Sequence, residues 1–395
     1  MAAGPGIWSQ ALIKSPVCDV SFAAVQANAI MEDASQVVIG PEGFFVTVND
    51  GHGGAEASRF ATDNLYKHLQ VHAAEEGGLG VPALQHAYEA LEASFTELVS
   101  RSFEEHPRLA CVGTCSLSGL VAGDGEQLIV GNLGDTRAVL GTSSGAVKKS
   151  DSKKGLIRSH GDDESVSAVQ LSTDHNVNIA EERRKMEERF PEDKEVVIDT
   201  RGSYRVKGRI QVCRTIGDVY MKHQEFNQSP LPPSIQLKEP VTTPYLLSEP
   251  AIHVRTLQPG DQFAIFATDG LWDLLSNQEA VDMVARHSKE GIAKRLIRTA
   301  LERVAKRIDV KYAELERLGV GQRRNLHDDI TVVVVFFKPF PKVRTNIPLK
   351  IVKGGEDAGS AWGTEPPSPK GNLRLHTTTN RLMHSLACSC CMVDD

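Results

Sequence analysis

Aspartates sit at the places in this sequence where chemistry is most easily built. Three separated segments share one design, a strand-like apolar run with an aspartate at one end. In Val48-Asn49-Asp50-Gly51-His52-Gly53-Gly54 and in Phe266-Ala267-Thr268-Asp269-Gly270 the aspartate follows the run. In Leu326-His327-Asp328-Asp329-Ile330 the aspartates precede it, and Glu32-Asp33 adds an adjacent acidic pair. Several carboxylates gathered near one another away from water are prohibitive unless cations compensate them. Hard oxygen donors in that number suit Mg2+ or Mn2+, and the lack of paired Cys or His argues against zinc. Gly51 has no side chain, so its carbonyl can approach an ion closely. Each piece alone has a plainer reading. Asp-Gly after a strand is usually a turn, Asp135 reads as the turn of a hairpin, His52 as a solvated loop histidine, and Asp328-Asp329 as a helix cap or a solvated acidic pair. Their joint occurrence is what points to a metal-assisted reaction.

These residues need elements to hold them. Phe44 to Val48 reads as a buried strand ending at Asn49-Asp50-Gly51, and Phe263 to Ala267 as another. Ile330 to Phe337 is so rich in β-branched residues that it should be buried on both faces. Ala57, Phe60, Ala61, Leu65 and Leu69 recur at helical spacing, as do Leu84, Tyr88, Leu91, Phe95 and Leu98 after Pro82, and Ile292, Leu296, Ala300 and Val304. Gln127 to Leu133 and Thr136 to Leu140 flank Gly134-Asp135 and suggest a hairpin. Residues 142–170 are rich in Ser, Lys, Gly and Asp and read as an exposed loop. Lys338-Pro339-Phe340-Pro341 closes the pattern. The expected division is an N-terminal extension over 1–19, a catalytic domain over 20–338 and a largely disordered tail over 339–395.

Composition narrows the function classes. The 395 residues are 41% hydrophobic and 24% charged, as in an ordinary globular protein with a substantial core. The formal net charge is −7, against the basic excess expected of a nucleic-acid binder. Of the seven cysteines, Cys18, Cys111, Cys115 and Cys213 are scattered without a disulfide framework or metal-ligand spacing, and Cys388, Cys390 and Cys391 crowd the C-terminus. The N-terminus lacks a secretory pattern, and no run approaches the roughly 20 apolar residues of a membrane span. The expected setting is therefore reducing, in cytoplasm or nucleus.

In order along the chain, Met31-Glu32-Asp33, Asp50-Gly51-His52-Gly53-Gly54, Gly134-Asp135-Thr136-Arg137-Ala138-Val139 and Leu171-Ser172-Thr173-Asp174-His175 resemble the metal-dependent type 2C protein phosphatases. So do Arg214-Thr215-Ile216-Gly217-Asp218, Thr268-Asp269-Gly270-Leu271-Trp272-Asp273 and Asp328-Asp329-Ile330-Thr331-Val332. The resemblance covers about residues 20 to 338. The finer likeness is to the plant subgroup called clade D, through Tyr204 to Val212, Gly217 to Lys222 with the Pro-rich stretch to Pro250, and Gly291 to Leu296.

The resemblance implies an α+β fold, a sandwich of two antiparallel β-sheets flanked by α-helices with a dinuclear metal cleft at one edge. It implies that Asp50 bridges two Mg2+ or Mn2+ ions, that the Gly51 carbonyl binds one of them, and that Asp269 and Asp328 bind the other. Glu32 and Asp33 would hold water around the ions. Asp135 and Asp273, with Asp269, would form a weaker third site. A water between the ions would attack phosphoserine or phosphothreonine directly, and His52 would protonate the leaving oxygen. Two departures stand out. Asn28 occupies the position, four before the Glu, where many members carry a phosphate-clamping arginine, and Asn49 replaces an aromatic residue. The rival reading is a catalytically weak regulator that binds and occludes a phosphoprotein or kinase; a two-metal nuclease fits the carboxylates but not the charge. The expected substrate is a phosphoprotein met by a monomeric enzyme, with plasma-membrane proton pumps and small auxin-induced regulators as the subgroup's partners. Cys388, Cys390 and Cys391 suggest membrane association by S-acylation.

Overall fold

The structure, a computed structural model, describes residues 6–123, 125–143, 165–319, 321–339, 341 and 346–354. Strands β1 (Trp8–Lys14), β2 (Cys18–Val25), β3 (Ala34–Gly40) and β4 (Gly43–His52) lead into helices α1 (Glu56–Glu75) and α2 (Val81–Ser102). Then come β5 (Gly113–Ala122), β6 (Gln127–Leu133), β7 (Arg137–Ser143), β8 (Val166–Gln170), helix α3 (Ala180–Arg189) and the short strands β9 (Val197–Asp199), β10 (Tyr204–Val206) and β11 (Ile216–Gly217). Strands β12 (Ala251–Thr256) and β13 (Asp261–Ala267) precede helices α4 (Asp269–Trp272), α5 (Asn277–Arg286), α6 (Ile292–Arg307) and α7 (Tyr312–Glu316). The last strands are β14 (Ile330–Phe337) and β15 (Lys350–Gly354).

Side-chain alternation in β13 and β14 explains the layering. Ile330, Val332, Val334 and Phe336 join the cluster formed with α5 and α6, whereas Val333 and Val335 point the other way, into the space between two sheets. Phe263, Ile265 and Ala267 alternate with Ala264 and Phe266 in the same manner. One sheet runs β1-β2-β14-β13-β7-β8; the other runs β12-β6-β5-β4-β3-β15, with β11 also on β5, and every ladder pair is antiparallel. Helices α1 and α2 cover the outer face of the second sheet through Leu65, Leu69, Leu84, Tyr88, Leu91 and Phe95. The result is the expected α+β sandwich with helices outside.

Four sequence expectations need correction. Gly134-Asp135 is not a hairpin turn: β6 pairs with β5 and β12, and β7 with β13 and β8, so the chain crosses between sheets there. Two short apolar runs around Gly-Asp look the same in either case, because the pattern records burial and not partner. Within 142–170, Val166–Gln170 is strand β8, paired with β7 and packing Val166, Ala168 and Val169 against the core; residues 144–164 lie outside the described ones. The N-terminal extension carries β1 and the start of β2. The boundary near 340 is also too early, since β15 pairs with β3 and Ile347 is buried. Residues 355–395, with Cys388, Cys390 and Cys391, lie outside the described residues.

Candidate active site

One end of the sandwich gathers the acidic residues because the antiparallel register brings strand ends together there. Val25 at the end of β2 faces Ile330 at the start of β14, Ala267 faces Val332 and Arg137, and His52 faces Gly113. Strand β4 runs further than its sequence suggests, so Asp50 lies inside the ladder opposite Cys115. Asp269 opens α4 directly after β13, and Asp328 stands just before β14. Thr268 donates to Asp33 at 3.0 Å and accepts the Thr331 amide at 3.0 Å, which stitches both sheets together at this end.

The carboxylates are crowded. Burial pushes Asp50 well above the usual carboxylate range, and the charges of Asp269, Asp33, Asp328 and Asp135 push it further. Asp269 is raised for the same reasons, burial first and then Asp135, Asp328 and Asp273. Burial, then Asp329, raises Asp33, and takes Glu32 up to about 7. Asp273, exposed at the rim, is raised by its surroundings and by Asp135. Asp50 and Asp269 stand close enough that a proton or a cation between them would relieve both. Neither has an ion-pair partner among the described residues. Asp135 is tied down separately, by Asn176 at 2.8 Å and the Cys115 thiol at 3.3 Å.

His52 has its own anchor. Its Nε2 lies 2.8 Å from Oδ2 of buried Asp218. Burial disfavours the imidazolium, yet the Asp218 carboxylate outweighs it and the pKa is raised. Asp218 reaches this position in a left-handed conformation, φ 50° and ψ 37°, held by its amide bond to the Val112 carbonyl at 2.9 Å. A Cβ on Gly113 would stand 2.0 Å from Oδ2 of Asp218 and 2.5 Å from Nε2 of His52. Gly113 is therefore the space in which the pair meets.

Comparison with known proteins settles the family. The model of protein phosphatase 2C matches residues 39–307. Probable protein phosphatase 2C 79 of Arabidopsis thaliana is 46% identical over 327 residues, covering 80% of each chain. Probable protein phosphatase 2C 28 of Oryza sativa subsp. japonica is 42% identical over 326 residues, covering 80% of this chain and 77% of its own. The chain belongs to the protein phosphatase 2C family. It is a metal-dependent protein serine/threonine phosphatase, and its substrates are phosphoproteins. The serine-threonine phosphatase 2C of Toxoplasma gondii shares the fold at 17% identity, with a TM-score of 0.52 over 85% of this chain and 100% of that one. A sex-determining protein of C. elegans does so at 16% identity, with a TM-score of 0.56 over 83% and 66%.

The phosphatase's oxygen donors fit the Mg2+ or Mn2+ on which the family depends. Asp50, Asp269 and Asp33 are acidic, crowded and without a basic partner in ion-pair reach, so a divalent cation would relieve all of them. Gly51 fits as well, since a Cβ there would meet the Glu32 carbonyl at 2.4 Å. Among the described residues, however, no three Asp, Glu, His or Cys side chains converge into a closed cage. Asp328 explains part of this: it is paired with Arg324 and takes the Asn28 amide at 3.4 Å.

The two departures from the family pattern acquire partners. Asp329 accepts the backbone amides of Ala27 at 2.6 Å, Asn28 at 3.0 Å and Glu32 at 2.8 Å, and the Asn28 side chain at 3.2 Å. Asn28 is thus folded back onto the aspartates and pins the loop that presents Glu32. Asn49 is fully buried, donating to Thr62 at 2.8 Å and accepting from Ser116 at 2.6 Å and Thr47 at 3.2 Å. This network ties β4 and β5 to α1 beneath Asp50. Sequence reasoning assigned no role to Asp218, Asp329 or Arg324. Asp218 and Asp329 stand inside recognised motifs, but nothing in spacing tells which loop they fasten.

Proposed function

We propose that two divalent ions would be held at the acidic end by Asp50, the Gly51 carbonyl, Asp269 and Asp328. When bound, they supply a water acidic enough to attack phosphorus and offset the phosphoryl charge. Glu32 and Asp33 orient water around the ions, and Asp135 and Asp273 offer a weaker third position beside Asp269. His52 donates the proton that the departing serine or threonine oxygen needs, and Asp218 fixes the ring and favours its charged form. Crowding of Asp50 and Asp269 without an ion-pair partner carries this reading, because such a pair is tolerable only with a proton or a cation between them. Calorimetric titration of Mn2+ into the protein tests it: Asp50→Asn and Asp269→Asn should weaken binding by at least about tenfold. Unchanged Mn2+ binding in both would remove the assignment.

For targets, the likeness to clade D supports plasma-membrane proton pumps phosphorylated near their C-termini, with small auxin-induced proteins as inhibitors. A panel of phosphopeptides that includes a pump C-terminus tests the preference. The tail cysteines support reversible attachment of a cytoplasmic or nuclear enzyme to membranes, since two or three acyl chains anchor stably where one does not. Fractionation of the full chain against a Cys388, Cys390 and Cys391 to Ser version tests it; equal solubility in an acylating host rejects the anchor.

A further inference from the structure

The acidic end presents an electrostatic difficulty for any phosphorylated substrate. A phosphate monoester brings nearly two negative charges into a region that already holds Glu32, Asp33, Asp50, Asp269, Asp328 and Asp329. Ions offset part of this, but an incoming dianion also needs a directional donor to fix its oxygens. Asn28 cannot serve, because it is neutral and its amide is spent on Asp328 and Asp329. Arg307, which Asp273 feels, is held by the Leu326 carbonyl at 2.7 Å, and Arg137, also beside the cluster, is locked. Its Nε holds Asp174 at 3.1 Å, its Nη1 holds Asn277 at 3.0 Å, and it lies 5.4 Å over the Trp272 ring.

Arg324 is different. It lies on the short turn Gln322–Asn325, which packs against the Asn28 loop where Gly321 approaches Ala29; a Cβ on Gly321 would stand 3.4 Å from that of Ala29. Its guanidinium binds Oδ2 of Asp328 while Asn28 addresses Oδ1 of the same carboxylate. Two loops distant in sequence therefore deliver an amide and a guanidinium to one spot. The Arg324 side chain is 51% exposed, and Asp328 is its one ion-pair partner among the described residues. Burial works against its charge, but Asp328 and then Glu32 and Asp269 outweigh that. A planar fork with five donors, one exposed face and a partner that can be exchanged is what bidentate capture of a phosphoryl group requires.

We infer that Arg324 is the phosphate-gripping residue of this phosphatase, supplied by the loop before β14 in place of the uncharged Asn28. The inference rests on the proposed reaction. Without substrate, Arg324 neutralises Asp328. With substrate, the phosphoryl oxygens take over its fork.

The experiment compares wild type, Arg324→Ala, Arg324→Lys and the double variant Asn28→Arg with Arg324→Ala. Readouts are kcat and KM on a phosphothreonine peptide, the competitive inhibition constant of inorganic phosphate, calorimetric Mn2+ affinity and melting temperature. Arg324→Ala should raise both KM and the phosphate constant by ~10- to 100-fold, as expected for loss of a charge-assisted pair. Lysine, a point charge without the fork, should fall between. Asn28→Arg should recover part of the loss, and Mn2+ affinity should stay within threefold or tighten. Phosphate and KM constants within twofold of wild type in both Arg324 variants would overturn the inference. So would a Mn2+ affinity loss above tenfold, which would make Arg324 a support of the metal centre. Should Arg324→Ala melt early, Arg324→Lys decides on the same constants. Wild-type turnover that requires Mn2+ tests the proposed reaction in the same assay, so the two readings fail separately.

Discussion

Asp50 and Glu279 are carboxylates of one domain whose surroundings drive them in opposite directions. At the acidic end, burial and neighbouring charges raise Asp50 and Asp269. At the start of α5, a fork from Arg303 at 2.5 and 3.1 Å, with the Ser276 amide and hydroxyl, lowers Glu279 to about 2. Ser276 and Glu279 form a reciprocal cap on the first turn of α5. Each group there is satisfied by the chain itself. At the acidic end the chain leaves its own groups unsatisfied, at a cost to the metal-free fold, and this is where the proposed reaction is placed. Local satisfaction marks scaffold and its lack marks function.

The largest effect should come from removing charge at the unsatisfied end. Asp50→Asn or Asp269→Asn should cut Mn2+-dependent turnover at least 100-fold, while the melting temperature of the metal-free protein stays level or rises. A fall in both quantities would mean that these carboxylates are structural and the contrast false. His52→Gln should lower turnover of a phosphoserine peptide about 100-fold. An aryl phosphate, whose leaving group needs no proton, should lose far less. Asp218→Asn should copy that leaving-group dependence at smaller size, because it acts through the ring. Equal losses on both substrates would reassign the pair to holding β4 against β5.

Gly113→Ala should mimic Asp218→Asn, since its methyl must displace either the His52 ring or the Asp218 carboxylate. A variant with normal peptide turnover would show that the pair tolerates being parted. At the satisfied end, Glu279→Gln should leave turnover unchanged and cost at most about 1 kcal/mol of stability, since Gln keeps the cap and only the partly exposed pair with Arg303 is lost. Its pH dependence has a definite sign. A depressed carboxylate stabilises the fold above its unfolded value of about 4.3, and the benefit fades as pH falls toward about 2. The gap between wild type and Glu279→Gln in melting temperature should close over that acid window; a constant gap would assign the loss to packing.

Much of this was legible in the sequence, for identifiable reasons. The runs at 263–267 and 330–337 announced buried strands because apolar residues on both faces leave few alternatives. Pro82 and the Leu84, Tyr88, Leu91 and Phe95 spacing located α2, which the structure places at Val81–Ser102. Asp50, Asp269 and Asp328 were visible as aspartates at strand ends, and the structure puts all three at the same end of the sandwich. Strand pairing was less visible. Gly134-Asp135 looks alike whether the next strand returns to its own sheet or crosses to the other. Strand β8 is five residues at the end of a stretch rich in Ser, Lys, Gly and Asp, and its ladder with β7 is what sets it apart from that stretch. The partners of His52 and Glu32 were hidden for a related reason. Asp218 lies 166 positions from His52, and Asp329 lies 297 from Glu32. Contacts over such separations are created by folding, and no local period records them.

Strand β15 determines where the polypeptide departs from the folded body. It pairs Lys350 with Ile39 and Gly354 with Ser35, so it travels along β3 toward the end that carries Asp33, and the Ser35 hydroxyl bonds the Gly354 carbonyl at 3.3 Å. The last described residue, Gly354, therefore lies at the end of β3 nearest Asp33. Shortening the protein to residue 340 would remove β15, bare the hydrogen-bonding edge of Ala34–Gly40 and leave a template for strand addition by another chain.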